Sequence, residues 1–218
     1  RARQRGQTFL YGGFIVLAAP LLCMMRSLEQ FIRDMYQLPS LLDRVLEVVT
    51  EALIADGIAC ARKTGIPRLF IGTARLTCQL ISVPLFERFV WSSMKQTVFG
   101  LLEAGITPIF HLDSDWTKNL EYFLELPPGK VVIELDSTTD IFRAHRVLGG
   151  HSCIIGDVGA PLFTLGKAEQ VREYCRKLLH ELGKEGGFIL GSGCHVPLEA
   201  KHENVDAFFR SVEEWGWL

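Results

Sequence analysis

A chain of 218 residues with a net charge of −2 has the size of one large α/β domain and lacks the excess of basic residues that marks a nucleic-acid-binding surface. Hydrophobic residues make up 48% of the chain, which suits a globular enzyme and excludes a disordered polypeptide. The six cysteines include no close Cys-x-x-Cys pair, which favours reduced thiols and a cytoplasmic location over a disulfide scaffold.

The first apolar run, residues 9–25, is too interrupted for a membrane span. Gly12, Gly13 and Pro20 break it, whereas a spanning helix needs about 20 consecutive apolar residues. It also lacks the small-residue cleavage site of a secretory signal. We therefore predict a first strand near residues 8–14 and a helix that begins near Pro20, both in the protein core.

The rest of the chain alternates short apolar runs with amphipathic segments, which predicts strands and helices in turn. Predicted strands lie near residues 68–72, 107–111, 131–135, 152–156 and 187–191. Predicted helices lie at residues 27–36, from Pro39 to a break at Gly65, and at 85–104, 117–126, 139–148, 167–183 and 203–215. Because right-handed β-α-β crossovers place successive strands side by side in one direction, the sheet should be parallel.

Reactive side chains follow the last four predicted strands. In chain order they are His111 with Asp113, Glu134 with Asp136, Asp157, and Cys194 with His195. Side chains two positions apart in an extended chain lie on the same side, so His111 and Asp113 share a face. Reactive groups at the carboxyl ends of parallel strands, with helices between the strands, are typical of an α/β barrel whose site lies at one rim.

The number of strands falls short of a closed barrel. About six are visible, whereas a (β/α)8 TIM barrel has eight, and the chain starts on Arg1 rather than on methionine. We therefore interpret residues 1–218 as a single domain that is the C-terminal portion of a TIM barrel. A shorter, open barrel completed by a partner chain is the alternative. Either form predicts self-association through an uncovered barrel edge.

His111, Asp113 and Cys194 are candidate metal ligands. Imidazole, carboxylate and thiolate groups all bind zinc. No local spacing confirms the set, since a strand-end histidine is more often a hydrogen-bonding residue, and a cysteine is more often a small buried one. Together at one rim, the three side chains make a metal site as plausible as its absence.

Several roles are possible for the remaining carboxylates at the strand ends. Glu134, Asp136 and Asp157 are either a fourth ligand, partners that orient the imidazole, or caps of the loops. Of these, Glu134 and Asp157 are the candidate catalytic residues at the rim. Arg75, which follows the strand at 68–72, is either a guanidinium at the rim or a solvated loop residue.

Four segments carry a resemblance to a known family. They are Phe110-His111-Leu112-Asp113, Ile155-Gly156-Asp157-Val158, the glycine-rich stretch from Gly186 to Pro197, and Glu203-Asn204-Val205. From about Leu41 to its end, the chain thereby resembles the uroporphyrinogen decarboxylase superfamily, whose fold is a (β/α)8 barrel. That superfamily contains cofactor-free tetrapyrrole decarboxylases and corrinoid-dependent methyltransferases in which zinc activates a thiol acceptor.

The resemblance implies the methyltransferase branch. In that branch, His-x-Cys at one strand end and a further Cys in the glycine-rich C-terminal strand bind zinc. His111 and Cys194 match the first and the last of these ligands, whereas Asp113 stands where the family pattern has Cys. The implied site is therefore His/Asp/Cys, which holds zinc or another divalent metal.

The implied reaction moves a methyl group between a methyl-corrinoid, carried by a separate corrinoid protein, and a small thiol or pterin acceptor. The metal would lower the pKa of the acceptor. A tetrapyrrole decarboxylase is one alternative, although a substrate with many carboxylates needs several arginines and the visible rim segments offer Arg75. A non-catalytic corrinoid- or tetrapyrrole-binding barrel, suggested by the departure at Asp113, is the other. We expect neither nucleic acid nor a membrane as a partner.

Overall fold

Strands and helices alternate along the chain, as the hydrophobic pattern predicts. The structure is a computed structural model that describes residues 8–216. The strands of this part are β1 (Phe14–Val16), β2 (Arg68–Gly72), β3 (Thr107–Leu112), β4 (Val132–Leu135), β5 (Cys153–Val158) and β6 (Phe188–Ser192). Its α-helices are α1 (Ala18–Arg26), α2 (Leu28–Gln37), α3 (Pro39–Thr64), α4 (Val83–Leu85), α5 (Ser92–Glu103), α6 (Ile141–Leu148), α7 (Ala160–Thr164), α8 (Ala168–Leu182) and α9 (His202–Trp215). The α/β class is confirmed.

The chain divides into two units, residues 1–111 and residues 112–218. In the first unit, β1 pairs in parallel with β2, and β2 pairs in parallel with β3, with Gly72 opposite His111. Helix α3 packs on β1 and β2. Gly57 allows the helix to approach β2 closely, because any larger residue would place a Cβ atom 2.5 Å from the side chain of Leu69. Leu69 and Ile71 are fully buried, so this face of β2 forms core.

The second unit contains the other half of the strands. Strand β5 pairs in parallel with β4 on one side and with β6 on the other, with Ile155 opposite Ile189. Helix α8 packs against β5, β6 and α9. It does so through one apolar stripe, which comprises Val171, Cys175, Leu178, Leu179 and Leu182. The parallel pairing among these strands confirms the prediction from β-α alternation.

The side chain of Asn204 joins α9 to the segment that follows β5. It is fully buried, and its amide nitrogen donates to the carbonyl oxygens of Leu162, Phe163 and Gly166 at 2.9–3.1 Å. These carbonyls lie at the end of α7, where a helix leaves its last acceptors without intrahelical donors. Asn204 therefore fixes the loop after β5 against the start of α9.

Two predicted elements lie elsewhere. The first strand is Phe14–Val16, not residues 8–14, and the predicted helix at 117–126 is a 3-10 helix at Leu120–Glu125. Gly12 lies just before the observed strand, where its N–H donates to the carbonyl of Arg68 at 2.8 Å and a Cβ atom would lie 2.3 Å from Thr64 of α3. The side chain of Asp115 explains the second difference, since it accepts from the backbone N–H of Thr117 at 2.7 Å and so favours a turn.

The remaining predictions on helices hold with two exceptions. The predicted helix at 85–104 is divided into α4, a π-helical segment at Phe86–Trp91, and α5. The short helix α7 was not predicted. The apolar run at residues 9–25 is core in its middle, where Ile15 and Leu17 are buried, whereas Phe9, Phe14 and Met25 are exposed. The expectation that this run forms core therefore holds in part. No helix within residues 8–216 is both long and apolar enough to cross a membrane.

Candidate functional site

His111 lies near the end of β3, in the first unit. It is 8% exposed, and its imidazole stacks on the ring of Phe70 with the centroids 5.5 Å apart. Its carbonyl oxygen accepts from the backbone N–H and the hydroxyl of Thr73, at 3.2 and 2.7 Å. Strand pairing, stacking and these hydrogen bonds together fix the backbone and the ring of this residue.

The loop after β3 is tied to the loop after β4 through Asp136. One carboxylate oxygen of Asp136 accepts from the backbone N–H of Ser114 at 2.8 Å. The other accepts from the N–H of Thr138 at 2.9 Å and from its hydroxyl. Asp113 precedes Ser114, and its carbonyl oxygen accepts from the indole N–H of Trp116 at 2.9 Å. Of the roles left open for Asp136, the structure gives it that of a loop cap.

The loop after β6 reaches the same residue. A Cβ atom on Gly193 would lie 2.9 Å from the carbonyl carbon of Asp136, so the two backbones are in contact. The N–H of Gly193 also donates to the carbonyl of Val158 at 2.9 Å. Cys194 follows, half-buried, with its Sγ 3.5 Å from Nδ1 of the exposed His195. The loops after β3, β4 and β6 therefore meet at Asp136 within the second unit.

Asp157 ends β5 against helix α8. Its side chain is 3% exposed, and the hydroxyl of Tyr174 on α8 donates to its Oδ1 at 2.6 Å. At this distance the contact is a short O–H···O hydrogen bond. The carboxyl group therefore joins β5 to α8.

Burial raises the pKa of Asp157 to about 7. The hydrogen bond from Tyr174 lowers this pKa, and the carboxylates of Asp140 and Asp136 raise it further. Burial also raises the pKa of Tyr174, and its bond to Asp157 adds to that shift. Asp157 can thus hold or release a proton near neutral pH, which most surface carboxylates cannot do.

The other candidates are less enclosed. Glu134 is half-buried on β4 between two fully buried neighbours, Ile133 and Leu135. Because side chains alternate along a strand, Glu134 lies on the opposite face from both. Arg75 is exposed, in agreement with the interpretation as a solvated loop residue.

A metal ion requires several ligands within reach of one point. The donor types of His111, Asp113 and Cys194 suit zinc. Within residues 8–216, however, no group of three or more His, Cys, Asp or Glu side chains is arranged to hold a metal ion. The arrangement therefore does not itself fit the predicted site, and metal binding by these three residues stays a prediction.

Two residues of the site were not assigned a role from the sequence. Tyr174 occupies an ordinary position on an amphipathic helix, and nothing in the sequence signals its bond to Asp157 seventeen residues earlier. The second is His195, and the signal for it in the sequence is its position directly after Cys194 at a glycine-rich strand end.

Comparison with known proteins agrees with this fold. The family model for "Uroporphyrinogen decarboxylase (URO-D)" matches residues 2–215. A solved structure, the methyltransferase from Methanosarcina mazei, is similar with a TM-score of 0.81 and 16% sequence identity. The likeness covers 98% of this chain and 61% of that one, so this chain spans about three-fifths of that protein's length. No curated protein sequence matches the chain. The fold is that of a partial TIM barrel of this type.

Proposed function

Since the chain belongs to the uroporphyrinogen decarboxylase family, we propose that it is the C-terminal part of a corrinoid-dependent methyltransferase, with residues 1–218 in one domain. Family membership alone is compatible with decarboxylation and with methyl transfer. The observation that favours methyl transfer is the likeness of almost the whole chain to the methyltransferase from Methanosarcina mazei.

The proposed reaction moves a methyl group from a methyl-corrinoid to a thiol or pterin acceptor. A separate corrinoid protein would carry the donor. The cobalt–carbon bond breaks with both electrons remaining on the corrinoid. A bond from the acceptor sulfur or nitrogen to the methyl carbon forms, and the acceptor's proton goes to a base.

The residues proposed for this chemistry lie at strand ends. Zinc or another divalent metal, held by His111, Asp113 and Cys194, would supply a Lewis acid that lowers the pKa of the acceptor. Glu134 is the proposed base for the acceptor's proton. Asp157 is 3% exposed and bonded to Tyr174, so its proposed contribution is to position the end of β5.

The experiment is a transfer assay with the complete chain, methylcobalamin as the donor, and a small thiol as the acceptor. Loss of the methylcobalamin absorbance together with appearance of the thioether would support the proposal. The Cys194→Ala variant should be inactive, and Cys153→Ala is the matched control because Cys153 begins its strand rather than following one. Absence of transfer with several thiol and pterin acceptors, by a folded protein, would contradict it.

Decarboxylation is the second candidate, and the matching family description favours it. The same preparation should therefore be incubated with uroporphyrinogen. Release of carbon dioxide without any methyl transfer would replace the first proposal by this one. Tight binding of a corrinoid or a tetrapyrrole without either reaction would favour the non-catalytic barrel.

Self-association is a further proposal, and it concerns the edges of the sheet. In the described part of the chain, β1 pairs on one side, with β2, and β6 pairs on one side, with β5. Phe14 on β1 is 56% exposed, and Ile189 on β6 is 41% exposed. Exposed apolar edge strands promote pairing between chains. Light scattering should show oligomers of the isolated chain, and a well-behaved monomer would contradict this.

A cytoplasmic location is proposed from the cysteines. Cys153, Cys175 and Cys194 are free thiols, which is typical of a reducing compartment. Localisation of the tagged full-length protein, with labelling of accessible thiols before lysis, would test this.

A further inference from the structure

Helix α3 carries an exposed apolar stripe in addition to the face that packs on the sheet. Its exposed apolar residues recur at alternating intervals of three and four, starting from the N-cap. They are Leu38, Leu41, Val45, Val48, Ala52, Ala55 and Ala59. Other residues form the buried face, namely Leu42, Leu46, Thr50, Gly57 and Ala61. The helix is therefore apolar on two faces, and the described part of the chain covers one of them.

The large members of this stripe are well exposed to solvent. The exposed fractions are 47% for Leu38, 46% for Leu41, 36% for Val45 and 66% for Val48. Single exposed leucines are ordinary on protein surfaces, whereas a continuous apolar patch marks an interaction surface. A repeat of 3.5 residues is the pattern by which one helix packs along another. The stripe therefore has the form of a surface for a second helix.

We propose that α3 pairs with α3 of a second copy of this chain, with the two helices antiparallel and a two-fold axis between Val45 and Val48. This pairing does not depend on the proposed reaction. It also differs from association through the sheet edges, because it uses a helix and no strand.

The sizes of the side chains along the stripe suit an antiparallel pair. Leucine and valine occupy its first half, and alanine occupies its second half. When Val45 faces Val48 of the second copy, Leu41 faces Ala52, and the next layer repeats this match of a large residue with a small one. A parallel pair would place leucine on leucine at one end and alanine on alanine at the other. The antiparallel pair therefore packs at an even spacing along its length.

The charged residues beside the stripe favour the same orientation. Arg44 and Glu51 are both exposed on one side of it. They lie seven residues apart, roughly 10 Å along the helix axis, which is too far for an ion pair within one helix. In the antiparallel register, Arg44 of each copy faces Glu51 of the other, which gives two ion pairs. A parallel pair would instead bring Glu51 close to the exposed Asp56 of the second copy, and these like charges repel.

Apolar surface continues beside the first half of the stripe. A cavity of about 190 Å³ lies among α1, α2 and α3, and its apolar lining comprises Leu22, Phe31, Leu38, Leu41, Leu42 and Val45. In the proposed pair, the alanine half of the second copy's α3 runs along this side of the molecule. The pairing therefore covers apolar surface beyond the stripe itself.

Sedimentation of the complete chain over a range of concentrations tests the pairing. The wild type should show a reversible equilibrium between monomer and dimer. Val48→Glu should raise the dissociation constant by about 30-fold or more, because it buries two carboxylates near the two-fold axis. The matched control is Val212→Glu, since Val212 is a 42% exposed valine on α9. This variant should associate as the wild type does.

Charge exchange tests the orientation of the helices. Arg44→Glu and Glu51→Arg should each weaken the dimer by about 10-fold, because each replaces two ion pairs by two like-charge contacts. The double variant Arg44→Glu/Glu51→Arg should restore the wild-type affinity. Glu47→Arg is the control, because it makes the same charge change at an exposed position on α3 away from the stripe. It should leave the affinity unchanged.

Four results would overturn the proposal. They are a monomeric wild type at every concentration, a dimer unaffected by Val48→Glu, equal losses in Val212→Glu, and no restoration in the double variant. Thermal unfolding shows whether each variant folds. If Val48→Glu unfolds, the charge variants decide the question, because Arg44 and Glu51 are exposed.

Two further outcomes separate this proposal from the others. Dissociation by Ile189→Lys on β6 but not by Val48→Glu would overturn the helix pair and support association through the sheet edge. Methyl transfer by a protein that stays monomeric would overturn the helix pair and leave the proposed function standing. A dimer that responds to the α3 variants but transfers no methyl group would support the pair and contradict the proposed function.

Discussion

Two neighbouring strands of the second unit end in opposite ways. At the end of β5, Asp157 is 3% exposed and bonded to Tyr174 of α8. After β6, Cys194 and His195 lie beside each other within reach of solvent. Both strand ends carry residue types that are common in active sites. The comparison shows that burial and bonding partners, more than residue type, separate a strand-end residue that joins the sheet to a helix from one that solvent reaches.

Among the substitutions that test this comparison, we expect Asp157→Asn to have the largest effect on stability. The pKa of Asp157 is about 7 in the folded protein, and its ordinary value is 3.8. Between these pH values the folded state keeps a proton that the unfolded state releases. The contribution of this group to the free energy of unfolding therefore falls as pH rises, by about 1.4 kcal/mol per pH unit and by about 4 kcal/mol at most.

Asparagine cannot ionise, so it removes this slope while still accepting from Tyr174. Relative to the wild type, Asp157→Asn should gain stability between pH 4 and pH 8. Urea unfolding of the two proteins at both pH values measures the gain. A stability difference that is the same at pH 4 and pH 8 would contradict the assignment of a buried, protonated carboxyl group.

A smaller effect should follow from Tyr174→Phe, which keeps the ring and removes the donor. Loss of one hydrogen bond to a buried carboxyl group costs about 1–3 kcal/mol. Because Tyr174 lowers the pKa of Asp157, the cost should be larger above pH 7 than at pH 5. The control is Tyr36→Phe, since Tyr36 is 67% exposed. Equal losses in the two variants would show that the bond adds no stability.

The smallest effect should come from Asp136→Asn at the contact of the three loops. One of the two carboxylate oxygens of Asp136 becomes an amide nitrogen, so the N–H of either Ser114 or Thr138 loses its acceptor. We expect a cost of about 1 kcal/mol and faster hydrogen exchange at Ser114 or Thr138. Exchange at both amides unchanged from the wild type would mean that Asp136 does not hold these loops.

Much of the fold was predictable because it depends on local pattern. The apolar stripe of α8 and the short strand Arg68–Gly72 are visible in the spacing of their hydrophobic residues. Parallel pairing follows from the helices between strands. The position of β1 was not predictable, because it is defined by pairing with β2, with Phe14 opposite Phe70, between residues far apart in the sequence.

The candidate site was predictable as a set of strand ends but not as a set of contacts. The alternation of side chains along a strand predicts on which face of the sheet each side chain lies, but it does not predict which helix residue contacts that face. The bond from Tyr174 to Asp157 and the contact of Gly193 with Asp136 therefore appear in the structure alone. The family resemblance suggested Cys194 as a ligand, and the structure shows its Sγ 3.5 Å from Nδ1 of His195.

The measurement that tests the central claim most directly compares two variants in one methyl-transfer assay, Cys194→Ala after β6 and Asp157→Asn at the end of β5. We predict that Cys194→Ala lowers the rate of methyl transfer from methylcobalamin to a thiol on the order of 1,000-fold, or ~4 kcal/mol in activation free energy. Asp157→Asn should retain the rate within about 10-fold, since its carboxyl group is buried and bonded to Tyr174 of α8. Full activity of Cys194→Ala, or a larger loss in Asp157→Asn, would contradict the account.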